Sequence, residues 1–594
     1  MIHIRLGKAL RCRPLWLAAL LVSGAGGSAT QAQPANASCP RNDSGLHLPA
    51  GFCASLFAQD IGHARHLVVS SSGVVYVNTW SGRYYANQPV HPGGFLVALQ
   101  DTTGSGSANV IERFGQTLQQ GNHGGTGIAL YHGYLYAESN DRIVRYKLAA
   151  DSIVPQGEAQ TVLSGMPLTG DHPMHPFAID ADGWLYVDIA SATNACQVRN
   201  RQLESPGVRP CTELIHRDGI WRYRADQLDQ HLSPAGRYAT GIRNADGITV
   251  DANGHDVYST QQGRDQLGQN WPKLYSVEQG AMLPAEEVMH IVKGGDYGWP
   301  ECYFDAQQGH LVLAPEYGGD GGHRVGTCAQ KRGPVAAFQA HWAPNDLLIY
   351  HGRMFPAAYT GGVFIAFHGS WNRAPFAQGG YNVAFQPLAN GKVSGGCQIF
   401  ASGFAATVAQ PGEAAHRPAG LAVGPDGALY VSDDVGGRIY RITYVPGAAG
   451  SSAGPPCPDP STPPGAIGTA NGQPPEGTHP DAEAANLPVP AGATHAMVEL
   501  GDRIYHGQVA GAACVGCHGP DGSGTPLGPP LTAHAWLWSN GSYAGISHTI
   551  DQGVSEPKQY RSPMPAKGGA QLDSNQVSAV AAYVWALSHP SAAH

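Results

Sequence analysis

The chain has 594 residues and a formal net charge of −9 at pH 7, a length that allows more than one domain. It contains no basic cluster that would form a surface for nucleic acid. No segment after the N-terminus is apolar enough to predict a membrane span.

The N-terminus has the pattern of a secretory signal over residues 1–32. An apolar run from Leu15 to Val22 is followed by small residues as far as Ala32, and it is accompanied by four basic residues: Arg5, Lys8, Arg11 and Arg13. Cys12 lies before the apolar run, which argues against a lipid-anchored cysteine. Cleavage after Ala32 would change the formal charge from −9 to −13, because four basic residues are removed.

Cysteine usage predicts disulfides. Of the eleven cysteines, one lies in the predicted signal and two lie in a C-terminal motif described below. The remaining even number in an exported chain favours disulfide pairing. Pairing of sequence neighbours closes short loops and predicts the bonds Cys39–Cys53, Cys196–Cys211, Cys302–Cys328 and Cys397–Cys457.

A repeated pattern dominates residues 33–445: a short apolar strand, a Gly/Asp turn and an aromatic-rich strand. Six strand pairs fit it: 67–69 with 74–77, 127–130 with 134–136, 177–180 with 184–187, 247–250 with 256–258, 347–350 with 362–365, and 420–423 with 428–431. Helix signals are nearly absent between the pairs. The pattern predicts an all-β six-bladed β-propeller, whereas a β-sandwich, the alternative, would not need six similar units.

The first strands of propeller blades converge on a central pocket, so the polar residues that precede them are candidates for a site. From about residue 46 to 445, these segments resemble the soluble sugar dehydrogenases that depend on pyrroloquinoline quinone (PQQ), particularly the sorbosone and aldose dehydrogenase branch. The matching segments are Asp-His-Pro at 171–173, Gly-Ile-Arg-Asn at 241–244, Gln-Gly at 262–263, Gly-Gly-Asp-Tyr-Gly-Trp-Pro at 294–300, His-Gly-Ser-Trp-Asn-Arg at 368–373, and His-Arg-Pro-Ala-Gly at 416–420.

PQQ is a tricarboxylate ortho-quinone, so its pocket needs cationic groups against the acids. Arg243 and Arg417 each precede a first strand and are predicted to be two of these groups. The resemblance implies that both contact the cofactor, with Asn244 beside the first arginine and Asn122 donating from the second blade. A solvated loop charge is the alternative interpretation of a single arginine.

His172 is the predicted general base: an imidazole titrates near working pH, and the resemblance favours this one because the Asp-His pair and the apolar strand after it match the family. It would accept the C1 hydroxyl proton of a sugar while the C1 hydride passes to the quinone. The resemblance implies that the adjacent Asp171 orients or electrostatically tunes the site. His123, which also precedes a first strand, is the rival base, and either imidazole could instead be a structural hydrogen-bond donor.

A hard divalent cation would polarise the quinone, and Ca²⁺ with oxygen ligands is the usual choice. The resemblance places its ligands at the backbone carbonyls of Gly263 and Arg264, where the soluble glucose enzymes have proline at the second position. The lysine that contacts the quinone in those enzymes is replaced here by His368 or Arg373. His341 is a further candidate for the pocket lining.

Residues 446–492 are rich in Pro, Gly, Ala and Ser and are predicted to be a linker. The motif Cys514-Val-Gly-Cys517-His518 follows and predicts covalent attachment of haem c. Two cysteines three positions apart lie on one side of a helical turn, so both sulfurs can form thioethers while the next imidazole ligates the iron. Residues 493–594 resemble the small all-α class I cytochrome c fold, with a terminal amphipathic helix capped at Asp573.

Met564 is the predicted sixth iron ligand, because it lies between prolines in the segment Ser-Pro-Met-Pro at 562–565. The cytochrome resemblance places the axial methionine in such a segment, and a Met/His pair raises the haem potential. Ligation by His534 or His548 is the alternative, as is an ordinary core methionine.

These features together predict a periplasmic quinohaemoprotein dehydrogenase with PQQ, one haem c and Ca²⁺. It would oxidise an aldose, or a sugar aldehyde such as sorbosone, and pass electrons through the haem to a cytochrome, a quinone or a terminal oxidase. A Ca²⁺-dependent lactonase is one alternative, but it needs a central ring of carboxylate and Asn ligands, and few acidic residues besides Asp171 and Asp246 precede first strands. The other is a non-catalytic binding propeller that docks the cytochrome on a redox partner.

Overall fold

The computed structural model describes residues 39–589 except 80–92, 117–124, 150–151, 202–203, 374–375, 408, 410–413, 449–453, 464–486, 506–508, 510–511, 513, 519–521, 523, 525–527, 533–534, 561–563 and 571. The predicted signal (1–32), Asn122, His123 and His534 therefore lie outside the described residues.

Six sheets form residues 52–444, and within each the strands of a blade are antiparallel. Blade one contains β2 (Ala64–Val69), β3 (Val75–Thr79), β4 (Leu96–Gln100) and β5 (Val110–Phe114). Blade two contains β6 (Ile128–Tyr131), β7 (Tyr134–Ser139), β8 (Arg142–Lys147) and β9 (Gln160–Ser164). Blade three contains β10 (Phe177–Ile179), β11 (Trp184–Ile189), β12 (Gly219–Arg224) and β14 (Arg237–Thr240), and the short β13 (Gln230–His231) runs parallel to β9.

Blade four contains β15 (Ile248–Val250), β16 (Val257–Gln261), β17 (Glu286–Ile291) and β20 (Ala336–Phe338). Blade five contains β21 (Pro344–Ile349), β22 (Val363–Phe367), β23 (Asn382–Gln386) and β26 (Gln398–Ala401). Blade six contains β27 (Pro418–Val423), β28 (Leu429–Asp433), β29 (Arg438–Tyr444) and β1 (Phe52–Ala58). Two hairpins lie outside the blades: β18 (Cys302–Asp305) with β19 (His310–Leu313), and β24 (Leu388–Ala389) with β25 (Lys392–Val393).

The first strands of the blades close into a ring. They contact one another in the order β2, β6, β10, β15, β21, β27 and back to β2. Both faces of each sheet therefore meet another blade, and a second strand such as β22 (Val-Phe-Ile-Ala-Phe) is buried at every position. The six-bladed propeller is confirmed, and all six predicted strand pairs are the first two strands of a blade.

The N-terminal strand β1 completes the last blade. It pairs with β29 so that Phe52 lies opposite Tyr444. The Phe52 ring makes edge contacts with Phe355 and Phe400, each at 4.8 Å between centroids, in the aromatic core beside blades five and six. This arrangement joins the two ends of the propeller and removes an exposed sheet edge.

The four predicted disulfides are all present: Cys39–Cys53, Cys196–Cys211, Cys302–Cys328 and Cys397–Cys457. The last bond includes a residue of the predicted linker. Nearby, Gln339 Nε2 donates to the Asp459 carbonyl at 2.7 Å, so this first part of the linker lies against the propeller.

The helices fall into two groups. Short helices of the propeller are α1 (Leu267–Asn270) and α2 (Val277–Met282), and those of the C-terminal domain are α3 (His495–Tyr505), α4 (Cys514–His518), α5 (Tyr543–Gln552) and α6 (Ser574–Leu587). Single 3₁₀ turns occur at Glu213–Ile215, Pro234–Gly236, Pro315–Tyr317, Gly326–Gln330, Ala357–Tyr359 and Ala566–Gly569. Asp573 caps α6, as predicted, by accepting a hydrogen bond from the Gln576 amide. Among the described residues, no helix combines the length and apolarity needed to cross a membrane.

Candidate functional site

The predicted site residues of the propeller gather at one end of the ring. In each blade the first and second strands are antiparallel, so the start of one and the end of the other lie side by side. This end carries His172 before β10, Arg243 before β15, Gly263 after β16, His368 after β22 and Arg417 before β27.

His172 is a buried, neutral imidazole. Its Nδ1 lies 2.9 Å from Ser191 Oγ and 3.1 Å from the Ser191 carbonyl oxygen. A carbonyl only accepts, so Nδ1 carries the proton and donates it there, which leaves the lone pair on Nε2. Burial lowers the pKa of His172 well below 6.5, and the positive charges of Arg243 and Arg201 lower it further. The tautomer therefore suits a base that accepts a proton at Nε2.

Asp171 is bonded to Arg201 and not to His172. Arg201 Nη2 lies 2.9 Å from Asp171 Oδ2 and 3.0 Å from Asp265 Oδ2, and Asp265 Oδ2 lies 3.1 Å from Arg243 Nη2. We call these four groups the ion chain: Asp171, Arg201, Asp265 and Arg243. The tuning role that the resemblance implies for Asp171 would therefore act through Arg201, whose charge adds to burial in lowering the pKa of His172.

Arg243 is held by several acceptors. Its guanidinium donates to the Asn194 carbonyl at 3.1 Å, to Asn194 Oδ1 at 3.0 Å and to the Gly263 carbonyl at 2.9 Å. The neighbouring Asn244 is 1% exposed, yet neither its Oδ1 nor its Nδ2 has a partner among the described residues. A buried amide without partners costs about 1–3 kcal/mol, so this position fits a ligand that both donates and accepts.

The predicted Ca²⁺ loop is anchored from behind by a carboxyl group. The Gly263 amide donates to Glu286 Oε2 at 2.9 Å, and the Ala343 amide donates to Glu286 Oε1 at 3.1 Å. Burial raises the pKa of Glu286 to about 8. The Arg264 side chain turns away into a buried ion pair with Glu316. An arginine is therefore compatible with a carbonyl ligand at this position, because its side chain is bound elsewhere.

Both ring nitrogens of His341 are engaged. Nε2 lies 2.9 Å from the Gly280 carbonyl and Nδ1 lies 3.2 Å from Asn372 Nδ2, which makes Nε2 the donor and Nδ1 the acceptor. Burial lowers the pKa of His341 to about 4. This neutral, doubly bonded ring is arranged as a structural element of the pocket.

The two candidates for the missing lysine differ in their partners. His368 Nε2 lies 2.8 Å from Asp434 Oδ1, and Arg417 donates to the carbonyls of His368 and Gly369. Arg373 is buried, its Nε has no partner among the described residues, and burial lowers its pKa to about 10. An unbalanced buried cation is the arrangement that fits an anionic ligand, and so Arg373 fits a PQQ carboxylate better than His368 does.

Three buried carboxylates on the first or second strands join neighbouring blades. Glu138 Oε1 on β7 accepts from the His175 amide of blade three at 2.9 Å. Asp188 on β11 accepts from the Ala245 amide of blade four at 3.1 Å, and Asp346 on β21 accepts from the Leu421 amide of blade six at 2.8 Å. These acids are bound to backbone donors, and they form no metal-ligating cluster in the part of the chain that the structure describes. They do not supply the ligand ring that a lactonase needs.

The haem motif lines an apolar cavity whose volume, including the part open to solvent, is about 1100 Å³. Cys514, Cys517, His518 and Met564 line it, and the rest of the wall is mostly apolar, including Tyr505, Leu531, Trp536, Ile546, Ile550 and Val584. His518 Nδ1 lies 2.8 Å from the Pro529 carbonyl and therefore donates to it, which leaves Nε2 as the lone-pair nitrogen. His548 on α5 is not part of the cavity wall, so Met564 fits the second axial position better.

The sequence matches two family descriptions: TrAA12-like over residues 46–445 and cytochrome c over residues 498–588. The chain belongs to the TrAA12-like family. A PQQ-dependent pyranose dehydrogenase of Coprinopsis cinerea is 27% identical over 261 residues, covering 37% of this chain and 34% of that protein. An uncharacterized protein of Borreliella burgdorferi is 26% identical over 210 residues, covering 35% of this chain and 48% of that protein. The chain thus spans less than half the length of these curated relatives.

Two solved structures share the fold of this TrAA12-like chain. The holo form of the pyranose dehydrogenase PQQ domain from Coprinopsis cinerea has a TM-score of 0.52 at 20% identity, covering 68% of this chain and 99% of that one. The calcium structure of a Trichoderma reesei enzyme of family AA12 has a TM-score of 0.53 at 18% identity, covering 69% of this chain and 99% of that one. The predicted family resemblance and its bounds are confirmed.

Sequence reasoning missed Arg201, Asp265, Asn194 and Glu286. The first and third lie in the long irregular connection between β11 and β12, where no strand period marks a position. Asp265 directly follows the predicted Ca²⁺ loop, and that adjacency is the one signal that could have identified it.

Proposed function

We propose that this chain is a quinohaemoprotein dehydrogenase that oxidises an aldose or a sugar aldehyde, sorbosone being one example, with PQQ, Ca²⁺ and one covalent haem c. The observation that carries the proposal is a pair of buried polar groups without partners among the described residues, the side-chain amide of Asn244 and the Nε of Arg373. They lie at the same end of the ring as the neutral His172. Membership of the TrAA12-like family and the likeness to a PQQ-dependent pyranose dehydrogenase support it.

The residues divide the work as follows. Bound PQQ supplies a two-electron acceptor for the hydride that leaves C1. His172 Nε2 accepts the proton of the C1 hydroxyl, while Ser191 fixes the ring through Nδ1. Burial, together with the positive charges of Arg243 and Arg201, would keep this imidazole unprotonated between turnovers, because both disfavour a further positive charge.

The cofactor contacts follow from charge. Arg373 would bind a PQQ carboxylate and Asn244 a quinone or carboxylate oxygen, since the Arg373 Nε and the Asn244 side-chain amide have no partner among the described residues. Arg243 would join them by exchanging part of its contact with Asp265 for the cofactor. The carbonyls of Gly263 and Arg264 would hold Ca²⁺ once Arg243 Nη1 gives up its bond to the Gly263 carbonyl, with Glu286 fixing the loop behind them.

His518 and Met564 would ligate the haem iron, and an external cytochrome, quinone or terminal oxidase would receive the electrons. The proposed compartment is the periplasm. The signal-like N-terminus and the four disulfides support export.

The test uses the purified full chain with haem attached and PQQ removed. Addition of PQQ and Ca²⁺ should make the ferrous haem absorbance grow when an aldose or sugar aldehyde is supplied, and a substrate panel would then identify the sugar. A haem that stays ferric with every sugar would refute the proposal.

Two histidine variants make the test specific. His172→Ala should slow haem reduction by at least a hundredfold, the usual contribution of a general base being about 10²–10⁴. It should leave the haem spectrum unchanged. His351→Ala removes an exposed imidazole after β21 and should react like the wild type. Equal rates for both variants would remove the base assignment.

A further inference from the structure

The haem cavity has a wall residue that belongs to the propeller. All described residues lining the cavity come from the C-terminal domain except Gln266. Gln266 directly follows Asp265 of the ion chain, and its Oε1 accepts from Arg201 Nη1 at 3.3 Å. The cavity and the ion chain are therefore neighbours in space.

The second thioether position belongs to the same cavity, because Cys517 and Gln266 are both wall residues. The cavity therefore joins the haem motif to the propeller segment that carries the ion chain.

Gln266 is fixed in place. Its side-chain Oε1 accepts from Arg201, and its backbone amide donates to Asn372 Oδ1 at 3.3 Å. Gln266 is 3% exposed. Its backbone has a left-handed φ of 59°, a conformation that non-glycine residues adopt at a cost and that is common at functional positions. A residue fixed in this way offers a defined contact surface to a neighbouring domain.

We propose that Gln266 and the ion chain form the docking surface for the haem edge of the cytochrome domain, so that one group of charges acts on both His172 and the haem. The inference depends on the haem attachment of the proposed function but not on its sugar chemistry. Reduction of ferric iron lowers its charge by one, so removal of a nearby cation disfavours reduction and removal of a nearby anion favours it.

The experiment measures the haem midpoint potential by spectroelectrochemical titration of the full chain without PQQ. Arg201→Gln and Gln266→Glu should both shift the potential downward, because the first removes a cation and the second adds an anion. Asp265→Asn should shift it upward. Arg222→Gln, which removes an arginine stacked on Trp184 in blade three, is the matched control and should leave the potential unchanged.

Shifts of opposite sign in the Asp265 and Gln266 variants support docking even if the Arg201 variant fails to fold. Wild-type potentials in all the folded variants would overturn the proposal. If these shifts occur while no sugar reduces the haem of the wild type, the docking stands and the proposed dehydrogenase activity falls.

Discussion

Replacement of Arg373 by methionine should change stability and cofactor binding in opposite directions. The arginine is 5% exposed, and burial lowers its pKa from 12.5 to about 10. At 1.36 kcal/mol per unit, that difference is a penalty of about 3 kcal/mol for keeping the buried charge. Methionine fills a similar space without a charge. The PQQ-free variant should therefore gain up to about 3 kcal/mol in free energy of unfolding.

Cofactor binding should suffer from the same change. A hydrogen bond to a charged group contributes about 1.5–3 kcal/mol, and so the Kd for PQQ should rise roughly ten- to a hundredfold. Denaturant unfolding of the PQQ-free chain measures the first effect. Equilibrium titration with PQQ at saturating Ca²⁺ measures the second.

Arg417→Met is the matched control, because this guanidinium already donates to the carbonyls of His368 and Gly369. Its removal leaves these acceptors unpaired and should lower the stability of the PQQ-free chain. If Arg373→Met also lowers stability and binds PQQ as the wild type does, then Arg373 is a structural residue and its assignment to the cofactor is wrong.

Two further predictions concern stability. Phe52→Ala should lower the free energy of unfolding of the propeller by about 3–5 kcal/mol, since the ring is buried in the aromatic core. The control Ile111→Ala, at a 49% exposed position, should change this free energy by less than about 0.5 kcal/mol. Similar losses for the two variants would contradict the closure of the ring by β1. Burial raises the pKa of Glu287 from 4.5 to about 7, so the wild type loses stability as pH rises through this interval. Glu287→Gln should therefore be more stable than the wild type by up to about 3 kcal/mol at pH 8, and equally stable near pH 4. Denaturant unfolding at both pH values would detect this, and a difference independent of pH would disprove it.

Features encoded locally could be predicted from the sequence. A turn flanked by apolar and aromatic residues predicts the strand pairs around 177–187 and 420–431. The first two strands of each blade are formed by contiguous segments of this kind. The haem motif places its ligating groups within five residues, from Cys514 to His518. The disulfides followed because each joins cysteines that are neighbours along the chain.

Features that depend on distant residues could not be predicted. Arg201 and Asp171 are thirty positions apart, and nothing in either segment indicates that they form an ion pair. Asp188 and Asp346 lie on buried strands, where an acid is unfavourable without a donor, and the amide that satisfies each one comes from another blade. The side-chain direction of Arg264 likewise depends on Glu316, a residue from a separate loop.

The late pairing of β1 has a consequence for synthesis. The strand that contains Phe52 pairs with the strand that contains Tyr444, which is synthesised much later. The ring can therefore close only after the ribosome has made nearly the whole propeller. Joining such distant segments is entropically costly and slows folding. Nascent chains that end before β29 would leave the ring open, with unpaired strand edges on both sides of the gap. Such exposed edges are recognised by chaperones and quality-control proteases.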